Sequence, residues 1–203
     1  MKDTYNTITE ASDESFFKEK GSKFFGYAFP IWSKEDAQMA LDQMKKKHPS
    51  ANHICYAWQL GIENPTVKLN DDGEPSNSAG SPIHGQIRSF DLTYILVASV
   101  RYFGGTKLGV GGLKQAYKHS AMITLQGAAI VEKTVDIYYQ LNFNYDAINL
   151  VMRIIKEKNI RILSQQMGVD CIYRIAVRKG EAAEVLGRFS QQYQLKIQAI
   201  ELP

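Results

Sequence analysis

The chain has 203 residues and a mass of 22.9 kDa, with 44% hydrophobic and 22% charged residues, the composition of a globular protein of one large or two small domains. A net charge of +3 does not imply a general polyelectrolyte affinity for nucleic acid, so any basic patch has to be local. The cysteines, Cys55 and Cys171, form neither a disulfide framework nor a zinc-finger spacing, and no stretch approaches the roughly 18 apolar residues of a membrane span.

Tyr5 to Thr9 and the aromatic-rich Lys23 to Ile31 read as strands. Ser33-Lys34-Glu35-Asp36 has the form of a capping box and predicts a helix with Ala37, Ala40, Leu41 and Met44 as its apolar stripe. Lys45-Lys46-Lys47 suits the helix C-terminus and Pro49 stops it. His53 to Leu60 reads as the next strand, followed by a long loop from Asn64 to Gly80 rich in Pro, Gly, Asp, Asn and Ser. Ser81-Pro82 predicts an N-cap and first-turn proline for a short helix ending near Phe90. Tyr94 to Val100 is a buried strand, Arg101 to Leu113 a glycine-rich connection, and Lys114 to Gly127 a helix.

From Asp136 the rhythm changes. Ile137 to Phe143 reads as a strand, and Asp146 as the cap of a helix carrying Ala147, Ile148, Val151, Ile154 and Ile155 on one side. Arg161 to Met167 and Cys171 to Val177 pair as a hairpin across Gly168, Glu181 to Tyr193 is a helix, and Leu195 to Leu202 a closing strand. The order βαββαβ is the ferredoxin-like pattern. A boundary near Glu132 to Val135 gives domains at 1–134 and 135–203, and the fold class is α+β. Alternation of Ile172, Arg174, Ala176 and Arg178 with Tyr173, Ile175 and Val177 predicts one packed and one wet sheet face.

The glycine segment concentrates the functional signal. Gly104, Gly105, Gly109, Gly111 and Gly112 fall within nine residues between a strand and a helix. Such a backbone turns freely and approaches a partner closely, and the following helix start favours an anion. Arg101, Lys107, Lys114 and Lys118 add charge, with no Asp or Glu from Val97 to Ser120. The alternative is a tight turn required only by packing. Neither a dinucleotide fingerprint nor a Walker pattern is present, so no cofactor is expected.

Asp71, Asp72 and Glu74 put three carboxylates in four residues, which could hold a hard cation or supply acid and base. The plainer reading is an Asp-Gly turn whose acids lie near a helix N-terminus. His53 and Cys55, two apart on a strand, share one face. They could form part of a metal set or an activated nucleophile, or be a half-buried histidine beside a core thiol. His84 and His119 have no spacing partner and read as surface histidines. No metal is expected.

Together, Asp71-Asp72-Gly73-Glu74-Pro75-Ser76, Ala79-Gly80-x-Pro82-Ile83 and the run from Arg101 to Leu113 closely resemble the signature of the IMPACT family, bacterial YigZ type. His53-x-Cys55-Tyr56-Ala57 and Ser22-Lys23-Phe24 match its other landmarks, whereas Asn77-Ser78 stands where the family usually has Gly-Thr. The resemblance covers about residues 15 to 130. It implies a first domain like domain 2 of ribosomal protein S5 and domain IV of elongation factor G, and a second like domain V of that factor. Eukaryotic IMPACT, which carries an extra N-terminal RWD domain, is a translational regulator. The resemblance implies an architecture of the bacterial kind, which starts directly on the shared domain.

The expected function is therefore non-enzymatic: binding of RNA or the ribosome, or of a translation-related protein partner, in the regulation of translation. The N-terminus, Met1-Lys2-Asp3-Thr4, lacks a basic-then-apolar leader, and a cytoplasmic location without membrane attachment is expected. The ligand contacts would be Arg101, Gly104, Gly105, Lys107, Gly109, Gly111, Gly112, Lys114 and Lys118. Two other classes stay open. One is an enzyme for a small phosphorylated or acidic substrate using His53, Asp72 and Glu74 with Lys107 as clamp; the other is a protein-interaction module.

Overall fold

The structure is a computed structural model that describes residues 3–201. Met1-Lys2 and Leu202, the expected end of the closing strand, lie outside them. The described residues divide into two compact units: Tyr5–Lys133, and residues 134–201 together with Asp3 and Thr4. Among the described residues no helix is long and apolar enough to cross a membrane.

The first unit is built on a five-stranded antiparallel sheet of β2 (Ser15–Glu19), β3 (Ser22–Pro30), β6 (Ile95–Tyr102), β4 (His53–Leu60) and β5 (Thr66–Asn70), in that spatial order. β1 (Thr4–Ile8) pairs with β7 (Ile130–Thr134) in a separate small sheet. The central β6 is apolar at nearly every position because both sheet faces are covered. Ile95 and Val97 join the cluster beneath α2 (Gly80–Ser89) and α3 (Gly109–Gln126), while Leu96, Ala98 and Val100 pack on the α1 side (Lys34–Lys47). The α1 capping box forms: Asp36 N–H donates to Ser33 Oγ at 3.1 Å and Ser33 N–H to Asp36 Oδ2 at 3.0 Å. Its stripe of Ala37, Ala40, Leu41 and Met44 is buried as expected.

Three local expectations need correction. β2 is a further strand, and β5 runs through the segment expected to be loop; both are exposed sheet edges. The helix after Gly80 is not capped by Ser81, because it starts at Gly80 behind Ala79 and a distant carboxylate serves its first turn. Finally, α3 begins at Gly109 rather than Lys114, so Gly111 and Gly112 belong to its first turn. Burial of Leu113, Ala116 and Tyr117 outweighs the poor helix propensity of these glycines.

In the second unit β8 (Asp136–Asn144), α4 (Ile148–Glu157), β9 (Arg161–Gln166), β10 (Asp170–Arg178), α5 (Ala182–Ser190) and β11 (Leu195–Ile200) form the expected βαββαβ run. The sheet order β11-β8-β10-β9 with antiparallel pairing throughout is the ferredoxin-like arrangement. Asp146 does not cap α4 directly; it sits in a single 3-10 turn, Tyr145–Ala147, that leads into it. On β10, Cys171, Tyr173, Ile175 and Val177 are buried against the helices. Arg174 and Arg178 are exposed on the other face.

Candidate functional site

The loop between β5 and α2 is folded by its own carboxylates. Asp71 Oδ1 accepts from the backbone N–H groups of Ala79 and Gly80, both at 2.9 Å, and Oδ2 from Asn77 N–H at 2.8 Å. It thereby satisfies free donors at the α2 N-terminus, where negative charge is favoured. Asn77 has φ +59°, a left-handed conformation that asparagine adopts more readily than most residues. Asp72 Oδ2 accepts from Ile54 N–H at 2.6 Å. His53 Nδ1 donates to the Asp72 carbonyl at 2.8 Å, and Cys55 Sγ donates to the Asp71 carbonyl at 3.0 Å. Two of the three acids are thus spent on holding the loop against β4.

The third, Glu74, is the centre of a buried polar cluster. Arg101 Nη1 donates to Glu74 Oε1 at 2.6 Å and Tyr117 O–H donates to the same oxygen at 2.8 Å, with His53 Nε2 at 3.8 Å. The Arg101 and Glu74 side chains are each only 5% exposed. Arg101 Nη2 donates to Ser22 Oγ at 3.1 Å, and the rings of Phe24 and Phe103 lie 5.6 Å from the guanidinium. Arg101 Nε is buried without an acceptor. Arg101 is therefore not a free surface cation. Burial pushes the Cys55 thiol and the Tyr117 phenol well above their ordinary ranges.

The glycines have separate jobs. Gly104 lies on the β2–β3 turn so closely that a Cβ would sit 1.9 Å from the Gly21 carbonyl carbon. Its lack of a side chain is a packing requirement. Gly105 and Gly109 have φ +84° and +70° with open space around them, and turn the chain into α3. That leaves the N–H groups of the first α3 turn, Gly109 to Gly111, without carbonyl partners inside the helix. A cavity of about 330 Å³ opens there, with Glu74 and Arg101, Phe103, Lys107, Leu108 and Val110 among its lining residues. Lys107 is exposed, as are Lys114 and Lys118 further along α3, outside the cavity.

The structure thus joins the two segments singled out in the sequence: Glu74 and His53 from one side meet Arg101 from the other. Asp72 faces the β4 backbone, and Lys114 and Lys118 stay apart from the cluster. Sequence reasoning missed Tyr117 and Ser22 as partners in the cluster; the single cue for Tyr117 was a hydroxyl on a ring at an inward position of the helix. His84 is half-buried rather than a free surface group and bonds Gln59 Oε1 at 3.1 Å.

An α+β protein with a ferredoxin-like second unit and a buried Glu–Arg–Tyr–His cluster under a glycine-rich helix start is the class these features define. Residues 20–125 match the family described as the Impact N-terminal domain, and the chain belongs to the IMPACT family. It is 36% identical over 133 residues to the IMPACT family member YvyE of Bacillus subtilis, covering 66% of this chain and 61% of that protein. An IMPACT family member of Haemophilus influenzae is 32% identical over 170 residues, covering 80% of this chain and 81% of the relative. A crystal structure described as that of an hypothetical protein shares the fold with a TM-score of 0.73 at 24% identity, covering 99% of each chain.

Proposed function

We propose that the chain binds RNA, free or in the ribosome, through phosphate contacts at the start of α3, and that this binding serves the regulation of translation in the cytoplasm. The observation that carries the reading is a helix start with free N–H groups beside exposed Lys107, continued by exposed Lys114 and Lys118 in a stretch without a single carboxylate. The nearest acid on the cavity, Glu74, is neutralised by Arg101. The translational part rests on the resemblance to eukaryotic IMPACT, a translational regulator. The second unit, with its dispersed charges, adds affinity or orientation. A small-substrate enzyme is less well supported, because burial holds the Cys55 thiol and Tyr117 phenol protonated, leaving no ready nucleophile in the cluster.

Filter binding of a single-stranded RNA over a range of salt tests this. With Arg101 engaged internally, three lysines contribute, and at about −0.7 per neutralised phosphate the log–log slope is about −2. Lys114→Ala/Lys118→Ala should reduce it to about −0.7. Absence of binding, or an unchanged slope in the double variant, overturns the proposal.

A further inference from the structure

We propose that the cavity at the start of α3 receives one unpaired nucleobase, so that the protein grips a splayed-out nucleotide rather than a phosphate chain alone. The inference rests on the RNA-binding reading and names what the cavity itself takes. At about 330 Å³ the cavity lies at the small end of ligand pockets, roughly 300–1,000 Å³, and suits a single flat ring system. Its walls are apolar, formed by Phe103, Leu108 and Val110. Phe103 and Val110 are 46% and 50% exposed, so one ring face and one branched side chain are offered at the rim.

The floor is unsuited to a phosphate but suited to a base. Glu74 stands there, and its pairing with Arg101 leaves neither side chain a free charge to hold a phosphate. The Arg101, Tyr117 and His53 contacts to Glu74 all fall on Oε1, leaving Oε2 as an acceptor without a partner among the described residues. Beside it, Arg101 lines the cavity with a 5% exposed side chain whose Nε–H is a donor without an acceptor. That donor is buried and unsatisfied, and a small shift of the guanidinium toward the cavity gives it a partner in a group entering past Phe103. One donor and one acceptor at the end of an apolar slot match the polar edge of a base, which carries both. The nucleotide's phosphate then falls at the mouth, where Lys107 and the N–H groups of Gly109 to Gly111 stand. Stacking on Phe103 supplies sequence-tolerant affinity.

The test compares fluorescence anisotropy of the full chain with a 12-nucleotide RNA and with an abasic ribose-phosphate 12-mer of the same charge. Wild type should bind the base-bearing strand about 10-fold more tightly, the effect of one stacked base. Phe103→Ala, which removes the ring, should abolish the preference while leaving binding to the abasic strand unchanged, and Val110→Trp, which fills the cavity, should abolish the preference as well. Both positions are half-exposed, so neither change disturbs the core. Equal binding of the two strands by wild type overturns the inference and leaves phosphate binding standing. A preference that survives both substitutions places the base elsewhere and also overturns it. Failure to bind either strand removes the RNA-binding reading and this inference together.

Discussion

Glu74 and Arg101 lie 27 residues apart in the chain, yet their side chains meet at 2.6 Å with only 5% of each exposed. This contact ties the acidic loop to the central strand β6 and decides the role of the arginine. A buried guanidinium already facing a carboxylate cannot also serve as the principal anchor of an exposed phosphate. The free positive charge of the site is left to the lysines and the α3 helix start.

Breaking that pair from one side should be costly. Glu74→Ala leaves a buried guanidinium and strips Tyr117 of its acceptor, and loss of one partner of a buried pair costs about 3–5 kcal/mol. Replacing both, as Glu74→Leu/Arg101→Met, should cost clearly less than either single change. Both tryptophans, Trp32 and Trp58, lie in the first unit, so urea unfolding followed by their fluorescence reports that unit alone. A double variant as unstable as the singles summed would show that the two side chains act independently.

Cys55 should be chemically inert in the folded chain. Its thiol is buried, donates to the Asp71 carbonyl and is pushed far above the usual thiol range by burial. Cys171 is buried in the second unit's core. A thiol-reactive chromophore at neutral pH should therefore label neither cysteine until denaturant is added, and then both. Rapid labelling of native Cys55 would restore it as a candidate nucleophile.

Sequence pattern reached the elements that bury a regular stripe. The α1 capping box and its four buried positions, the β4 and β6 cores, and the whole βαββαβ order of the second unit were all legible in this way. What escaped was what depends on tertiary partners. β5 reads as loop because Thr66 to Leu69 stay exposed on an edge and carry no burial alternation. The α3 start is hidden because glycine is a poor helix former, and only packing of Leu113 and Tyr117 draws Gly109 to Gly112 into the helix. Ser81 looked like a cap, but Asp71, held nearby by the turn, outcompetes it for the α2 donors. The glycine segment and the acidic loop were visible as sites, and the enzyme reading set His53, Asp72 and Glu74 beside Lys107; the Glu74–Arg101 pair itself was not legible, since no local spacing encodes a contact between a loop and a strand 27 positions on.

Acid sensitivity should centre on His48. Tyr27 donates to Glu14, so its oxygen accepts from His48 Nε2–H at 2.6 Å, and His48 Nδ1 accepts from Tyr102 O–H at 2.9 Å. That network holds the neutral ring, and burial is the main cause lowering its pKa, with Lys47 adding to it and Glu14 opposing. The unfolded chain then binds a proton below about pH 6.5 that the folded chain refuses. Stability is complete above that value and falls as pH drops through the lower folded pKa; His84, also lowered by burial, has the same sign. Glu14, likewise lowered, loses its contribution only near and below the ordinary carboxylate range. Urea midpoints at pH 7.5 and 5.5 should fall for wild type, and His48→Gln should be less stable at pH 7.5 but show a flatter change. An equal slope in the variant would place the sensitivity elsewhere.

The three kinds of glycine in the motif should separate cleanly by substitution with alanine. At Gly104 the new methyl would lie 1.9 Å from Gly21 C and 2.2 Å from Ser22 N, both backbone atoms that cannot step aside. Gly104→Ala should therefore destabilise the first unit by several kcal/mol, as overpacking against a rigid partner does, at roughly the upper end of 1–3 kcal/mol or beyond. At Gly105 nothing lies within reach, but φ is +84°, so the cost is conformational only, about 1–2 kcal/mol. Gly111 has ordinary helical φ and open space, so Gly111→Ala should stabilise α3 by up to about 1 kcal/mol, through the entropy that glycine loses in a helix. Urea midpoints read through tryptophan fluorescence rank the three. If Gly111→Ala keeps its stability gain yet weakens RNA binding, the first turn of α3 has to stay bare for its ligand. If Gly104→Ala folds normally, the close β2–β3 contact is not what fixes glycine at that position.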